Sequence, residues 1–315
     1  MKPRGLFAGL LLASAALLLL GAAVGATGFS LDVPSTIIWD IRLPRSGGAW
    51  LVGALLGLAG AIAQGLFRND LADPYLLGSA SGAGLGVALT LAFIGAAPAW
   101  LQALGLTGAA FVGTLAGVLA TLLLARGAEQ SLRLLLAGIV VGVVLTAATQ
   151  VLMMLSPEVM RTMTSFMLGS TNLLGWRSVA LLGAALMLSL IIALAASRAL
   201  DALSLGDATA RSLGLDLAFF RGLLIAAFAL ATAAAVAQAG MIAFVGLVAP
   251  HLVRSLVPTT HGRLLLLSTF SGGLLLLGAD VLSRAVIAPQ ELPVGIVTAL
   301  LGGCYLLVLM QRRSM

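Results

Sequence analysis

The sequence has little of what soluble enzymes use for folding and chemistry. Charged residues make up 9% of its 315 positions, and it contains one cysteine and two histidines. Because soluble domains carry about 25% charged residues, this composition excludes an ordinary soluble protein. The single Cys304 lies in an apolar run, which excludes a framework of disulfides. No hydrolytic triad, carboxylate pair or metal-ligand cluster stands out, and the isolated His251 and His261 do not form a metal site, so no cofactor and no resident metal are predicted.

Lysine is also scarce, because Lys2 is the only one. A phosphate-binding loop requires the pattern Gly-x-x-x-x-Gly-Lys-Ser/Thr, so the many glycines are predicted to serve helix packing and turns, not nucleotide binding. The net charge of +6 comes from arginines spread over loop positions. Such a distribution is a topology signal and does not indicate binding to nucleic acid. The chain is therefore predicted to have no enzymatic activity of its own.

What the sequence has in abundance is apolar runs, since 61% of its residues are hydrophobic. A run of about 18 or more apolar residues can cross the hydrocarbon core of a membrane as a helix. The sequence therefore predicts an all-α, polytopic membrane protein that forms a single domain over residues 1–315. The ten predicted transmembrane helices lie at 6–26, 47–66, 76–96, 107–125, 134–155, 178–197, 222–239, 242–257, 264–283 and 293–311.

The basic residues predict the orientation of these helices. If the N-terminus is cytoplasmic, twelve lysines and arginines face the cytoplasm and five face outward, namely Arg42, Arg45, Arg161, Arg177 and Arg284. This bias follows the positive-inside rule and places both termini in the cytoplasm. The first residues, "MKPRGLFAGLLLASAALLLLGAAVGA", are also compatible with a secretory signal. A first transmembrane helix is favoured because the charge bias depends on a cytoplasmic start.

One polar stretch, "ALDALSLGDATARSLGLDLAFFRG" at 199–222, interrupts the apolar pattern on the predicted cytoplasmic side. Asp207 can cap a short helix that ends at Gly214, and Asp216 can cap the next helix. The stretch is longer than a connection between two helices requires, which favours a functional segment over a plain loop.

The segment 153–167 contains five of the ten methionines, together with Arg161. Methionine adapts to irregular apolar surfaces, so this segment could form a wall against a planar haem, with Arg161 pairing a propionate. Ordinary filling of the core is the alternative. Elsewhere, Asp280 and Arg284 have the spacing of an ion pair on one helix, and Gly53, Gly57 and Gly60 lie on nearly one helix face, where they permit close packing.

Several stretches together resemble one family. They are "RLPR" (42–45), "RNDLADPYLLGSASGAGLG" (68–86), "LLLAGIVVG" (134–142), "DATARSLGL" (207–215), "FVGLVAPHLVR" (244–254) and "ELPVGIVTALLGG" (291–303). The chain resembles the permease subunits of type II ABC importers, which carry iron–siderophore complexes, haem and vitamin B12. The chain departs from that family at Asp70, where proline is usual, and at "GMIA" (240–243), where Gly-Pro-Ile-Gly is usual.

The resemblance implies a homodimer in the bacterial inner membrane, with a translocation path at the dimer axis. It also implies two cytoplasmic ATPase subunits and a periplasmic binding protein as partners, besides membrane lipid. The ATPase-coupling residues would be Leu205, Gly206, Asp207, Ala210, Arg211, Leu213 and Gly214. The binding protein would meet Arg42, Arg45 and Arg284, for which anchoring to lipid headgroups is the alternative. The path and its gate would include Ser131, Leu132, Met153, Met160, Arg161, Met163 and Met167.

These expectations lead to an ATP-driven importer for a large iron chelate, either haem or a ferric siderophore, with vitamin B12 as the alternative cargo. An ion-coupled secondary transporter is a more distant alternative, because it would need ionisable residues in mid-membrane. A membrane-embedded enzyme would need a catalytic constellation.

Overall fold

The computed structural model describes residues 3–25, 28–29, 34–94, 99–126 and 131–313. Two short strands, β1 (Val24–Gly25) and β2 (Gly28–Phe29), pair antiparallel, and a π-helical turn covers Ile38–Arg42. The described helices are α1 (Pro3–Ala23), α2 (Ser35–Ile37), α3 (Leu43–Phe67), α4 (Ser79–Ile94), α5 (Ala99–Leu124), α6 (Ser131–Leu155), α7 (Pro157–Leu168), α8 (Trp176–Ala195), α9 (Ser197–Ser204), α10 (Asp207–Ser212), α11 (Leu217–Ala239), α12 (Val245–Leu256), α13 (His261–Ala285) and α14 (Val294–Arg313).

Each of the ten predicted apolar segments coincides with one of these helices, and the all-α, multi-pass membrane fold is confirmed. Within the described ranges, seven helices are long and apolar enough to cross a membrane, and α4, α12 and α14 supply three shorter apolar helices. The exact number of crossings and the side on which the termini lie stay predictions.

The helix predicted at 242–257 is present as α12, but it begins three residues later than predicted. Residues after α11 leave the helical conformation at Gly240, whose φ is +71°, and α12 begins only at Val245. With twelve residues, α12 is about 18 Å long, which is shorter than the hydrocarbon core. Residues 240–244, between α11 and α12, are not helical, but the N–H of Met241 donates to the carbonyl oxygen of Phe166 at 3.0 Å. Such pairing is what makes irregular backbone tolerable at membrane depth.

The amphipathic helix α7 was not predicted. It begins after Ser156, whose side chain accepts a hydrogen bond from the N–H of Val159, and Pro157 occupies its first turn. It ends at Gly169, which has a φ of +66°. One face of α7 is buried through Val159 and Met163, and the helix packs on α4, α6 and α14.

Helix α3 lies at the centre of the molecule, and every side chain from Val52 to Phe67 is buried. It packs on α8, α11, α12 and α13. A Cβ atom added to Gly53 would overlap the carbonyl of Gly272 in α13. The predicted close packing along this glycine face is therefore confirmed, and it brings the two helix backbones into direct contact.

Candidate functional site

The polar stretch 199–222 forms two short helices, α9 and α10, between the long helices α8 and α11. Gly206 and Gly214 end these helices with φ values of +104° and +80°, which glycine adopts without strain. Asp216 caps α11, as predicted, because its Oδ1 accepts a hydrogen bond from the N–H of Phe219 at 3.1 Å. The result is a compact projection at one end of the bundle.

The predicted coupling residues divide into an outer and an inner set. Leu205 and Leu213 are 66% and 63% exposed, and Arg211 is also exposed. Ala210 is fully buried against Leu203 and its neighbours under the projection. The structure thus presents two large apolar side chains outward, whereas Ala210 can only support them from beneath.

Asp207 does not cap α10, which corrects the prediction. Its two carboxylate oxygens each accept a hydrogen bond at 2.9 Å from Nη2 of Arg221 in α11. Arg68, at the end of α3, lies 3.4 Å from the same carboxylate. The guanidinium of Arg221 is buried, and its burial requires such a charged partner. Asp207 therefore fixes the projection to the bases of α3 and α11.

Asp70, the departure from the family pattern, has a comparable role two residues after Arg68. Its carboxylate pairs with Nη1 of Arg254 in α12 at 3.1 Å. Arg254 also donates to Gln64 Oε1, and Gln64 Nε2 donates to Leu247 O at 3.1 Å. The turn that follows α3 is consequently joined to α10 on one side and to α12 on the other.

At the opposite end of α3, Asp280 is the centre of a buried ionic cluster. Arg284 donates to its Oδ2 at 2.6 Å, which confirms the predicted pair on one helix. Arg45 Nε and Thr171 Oγ1 donate to its Oδ1 at 3.1 and 2.6 Å. Arg45 Nη1 also reaches both oxygens of Glu291 at 2.9 Å.

The three predicted docking arginines are turned inward. Arg42, Arg45 and Arg284 are 5%, 7% and 1% exposed. Arg42 donates to the carbonyls of Ala22 and Ala23, and Arg284 donates to those of Gly21 and Val24. The last carbonyls of a helix lack partners within it and attract cations, so the end of α1 draws these side chains in. All three side chains are therefore buried in the single chain, and their contact with a binding protein stays a prediction.

A cavity of about 520 Å³ lies between α6 and the segment that connects α3 to α4. Its polar lining consists of Asp73, Tyr75, Thr146 and Gln150. Burial raises the pKa of Asp73 to about 6, although the N–H of Tyr75, which donates to it at 2.8 Å, favours the carboxylate. Burial, and then the nearby charge of Asp73, also raise the pKa of the Tyr75 hydroxyl.

The predicted path residues do not form one wall. Leu132 is exposed at the start of α6, while Ser131 is the first residue of that helix and its side chain lies outside the described part of the chain. Met163 is fully buried among the side chains of α4 and α7, which corrects its assignment to the path. The remaining predicted members are partly buried or exposed on α6 and α7: Met153, Met160, Arg161 and Met167.

The polar groups of the cavity were not predicted as site residues from the sequence. Gln150 and Thr146 lie four residues apart in the largely apolar helix α6, so they share a face. That interruption of an apolar run is the signal that could have identified them. Asp73 appeared only within a stretch that resembles the family. Its position opposite α6 depends on the path of the segment that connects α3 to α4, which the sequence does not show.

Comparison with known proteins agrees with this architecture. Residues 6–312 match the model of the FecCD transport family. The hemin transport system permease protein HmuU of Yersinia pestis is 40% identical over 88% of this chain and 84% of its own length. The vitamin B12 import system permease protein BtuC of Escherichia coli O157:H7 is 41% identical over 84% of this chain and 80% of its own length. A solved metal-chelate type ABC transporter in an inward-facing conformation superposes with a TM-score of 0.88, at 29% identity, over 98% of this chain and 99% of the other.

Proposed function

This chain belongs to the FecCD transport family, and we propose that it is the permease subunit of an ATP-driven importer for a large metal chelate in the bacterial inner membrane. The observation that carries the proposal is the agreement of nearly the whole chain, in sequence and in backbone, with transport permeases. Residues 1–315 act as one transmembrane domain, and 199–222 is the cytoplasmic coupling segment within it.

The energy for transport is proposed to come from two separate ATPase subunits, because the sequence has no lysine for a phosphate-binding loop. Leu205, Leu213 and Arg211 form the contact surface, and exposed apolar side chains on a polar projection are typical of a protein interface. Gly206 and Gly214 shape the turns. The ion pair between Asp207 and Arg221 makes the projection rigid enough to transmit a displacement to α11.

At the outer end, we propose that the cluster of Arg42, Arg45 and Arg284 attracts the acidic surface of a periplasmic binding protein. Arg45 and Arg284 contact the carboxylates of Asp280 and Glu291, and Arg42 places a third guanidinium nearby, at the end of α1. The Nη2 atom of Arg45 has no hydrogen-bond partner among the described residues. A homodimer would carry two such clusters, one for each lobe of the partner.

The proposed cargo is a large iron chelate, either haem or a ferric siderophore, and vitamin B12 is the second candidate. One relative is named for hemin and another for vitamin B12, at nearly equal identity. The proposed path runs along α6, past the cavity that holds Asp73 and Gln150. Ion-coupled transport is less well supported, because the buried carboxylate of Asp280 is fully engaged by Arg45, Arg284 and Thr171.

The test is uptake by proteoliposomes that contain the chain, its ATPase and its binding protein. Haem, a ferric siderophore and vitamin B12 are supplied separately, with ATP or with a non-hydrolysable analogue. We expect uphill uptake of one chelate that requires ATP hydrolysis. Uptake that persists without the ATPase and follows a proton gradient would reject the proposal.

The coupling surface is tested by replacing both Leu205 and Leu213 with serine. Since both side chains are largely exposed, we expect an unchanged melting temperature, weaker binding of the ATPase subunit and loss of ATP-driven uptake. Leu173→Ser, at a still more exposed leucine outside 199–222, is the control for ATPase binding. Full binding by the double variant would remove the segment from the interface.

A further inference from the structure

A groove between α1 and α13, at the end that we predict to be cytoplasmic, has no role in the transport function described above. The groove encloses about 420 Å³. Its lining consists of Pro3, Arg4, Phe7, Arg263, Leu266 and Leu267. It therefore combines two guanidinium groups with an apolar wall, and no carboxylate lines it.

The apolar wall is part of a packed cluster. Phe7 contacts the edge of Phe270 with ring centroids 5.0 Å apart. Leu6 and Leu267 pack with Val253 beneath the groove. The wall is consequently a fixed surface, and its apolar side chains face the position that lipid acyl chains occupy around α1.

The two arginines differ from three other arginines of this end that have ion-pair partners. Arg68, Arg221 and Arg254 all pair with carboxylates. Arg4 and Arg263 are exposed, and neither has a hydrogen-bond or ion-pair partner within the described ranges. They lie in the first turns of α1 and α13, so both helices direct their positive dipole ends toward the same region.

Helix α1 is peripheral, because only Leu6, Ser14, Gly21 and Ala23 are buried along it. Most of its surface is therefore available to lipid. The groove lies at its first turns, where an inner-leaflet headgroup would sit if the N-terminus is cytoplasmic. Basic pockets between transmembrane helices on the cytoplasmic side bind anionic headgroups.

We propose that this groove is a binding site for an anionic phospholipid of the cytoplasmic leaflet. The phosphodiester lies between Arg4 and Arg263, and an acyl chain lies along Phe7 and Leu266. Guanidinium groups bind phosphate oxygens through paired, charge-assisted hydrogen bonds. A small soluble phosphate would leave the apolar wall unused, which is why a lipid is the favoured occupant. The bound lipid would join the peripheral α1 to α13.

The experiment is native mass spectrometry of the full, delipidated chain titrated with phosphatidylglycerol or with phosphatidylcholine of the same acyl chains. We expect the chain to prefer phosphatidylglycerol. Replacing both Arg4 and Arg263 with glutamine should weaken that binding by roughly tenfold or more, at about 1 kcal/mol per arginine. The lysine double variant should retain much of the preference, because it retains the charge.

Arg126→Gln is the matched control, because Arg126 is an exposed arginine that does not line the groove. It should leave phosphatidylglycerol binding unchanged, and thermal unfolding of each variant checks that the fold is intact. Equal binding by the wild type and the glutamine double variant would overturn the proposal. So would effective competition by glycerol 3-phosphate, since a lipid site requires the acyl chains.

Discussion

At the scale of single residues, the buried arginines of this apolar protein are stabilised by nearby acceptor groups. Each buried guanidinium at the two ends of α3 lies against carboxylates or against helix-terminal carbonyls, as with Arg221 at Asp207 and Arg284 at Asp280. A buried charge is strongly destabilising without a partner, so removing one member of a pair costs more than the pair itself contributes. The two members of one pair should therefore respond differently to substitution.

The pair of Asp207 and Arg221 provides a direct test of that asymmetry. Arg221 is 1% exposed, whereas the Asp207 side chain is 32% exposed. Asp207→Asn leaves a buried guanidinium without its carboxylate, so we expect a loss of about 1–3 kcal/mol in the free energy of unfolding. Arg221→Met should reduce the free energy of unfolding by less. Methionine fills most of the volume of the arginine side chain, and the Asp207 carboxylate still pairs with Arg68 and is still hydrated. Thermal unfolding in detergent measures both effects.

Asp40→Asn is the control for these measurements, because Asp40 is exposed and has no ion pair within the described ranges. It should leave the melting temperature unchanged. If Arg221→Met destabilised the chain more than Asp207→Asn, the guanidinium would owe its burial to contacts other than this carboxylate.

The carboxyl group of Asp73 predicts a dependence of stability on pH. Burial raises its pKa from 3.8 to about 6, so the folded chain binds this proton more tightly than the unfolded chain. The contribution of this group to stability is therefore favourable at low pH and is lost as the pH rises from about 4 to about 6. Above that range the contribution is constant.

Asp73→Asn should remove this component, because asparagine does not titrate but can still accept the hydrogen bond from Tyr75 N–H. We expect the melting temperature of the wild type to fall relative to that of the variant as the pH is raised through this window. Parallel curves for the two proteins would show that Asp73 is hydrated and has an ordinary pKa.

At the scale of helices, the lengths of the apolar runs predicted where the ten segments lie, but not the exact residues at which each helix begins and ends. The end of α11 at 239 was predicted, but residues 242–244 are as apolar as a helix, so hydropathy could not show that α12 begins only at Val245. The sequence predicted the pair of Asp280 with Arg284 but could not show the second partner, Arg45, which is 235 positions away. The helix caps are local, and Asp216 was predicted correctly for that reason. Asp207 was not, because Arg221 competes for its carboxylate.

The close contact between the backbones of α3 and α13 predicts that a larger side chain at their interface lowers the stability of the protein. A Cβ atom at Gly57 would overlap the carbonyl of Ser268, so Gly57→Ala must separate the two backbones. We expect a loss of about 1–3 kcal/mol in stability, as for other overpacked cores. Gly183 in α8 has open space around its Cβ position. Gly183→Ala should be neutral or stabilising by up to about 1 kcal/mol, because alanine favours helix.

Thermal unfolding of the two alanine variants in the same detergent makes this comparison. Similar melting temperatures for Gly57→Ala and Gly183→Ala would mean that α3 and α13 can move apart without cost, which contradicts a packed central pair.

At the scale of the whole molecule, the outer face of α6 requires a covering. Its exposed residues include Leu136, Val143 and Val151, and between them lie the polar Thr146 and Gln150. Polar groups in contact with lipid are costly, so they face protein or a water-filled path. A second copy of the chain would provide both, with the cavity of one protomer facing that of its partner across the axis.

Cross-linking tests this arrangement, because residues beside a two-fold axis lie close to their own copies. Cys304 is exposed and is first replaced with alanine. On that background, Val143→Cys places a thiol beside the cavity, and Leu188→Cys places one on the exposed face of α8. With a short bis-maleimide reagent in native membranes, we expect a covalent dimer from Val143→Cys alone. A dimer only from Leu188→Cys would place the interface at α8 and would contradict this arrangement.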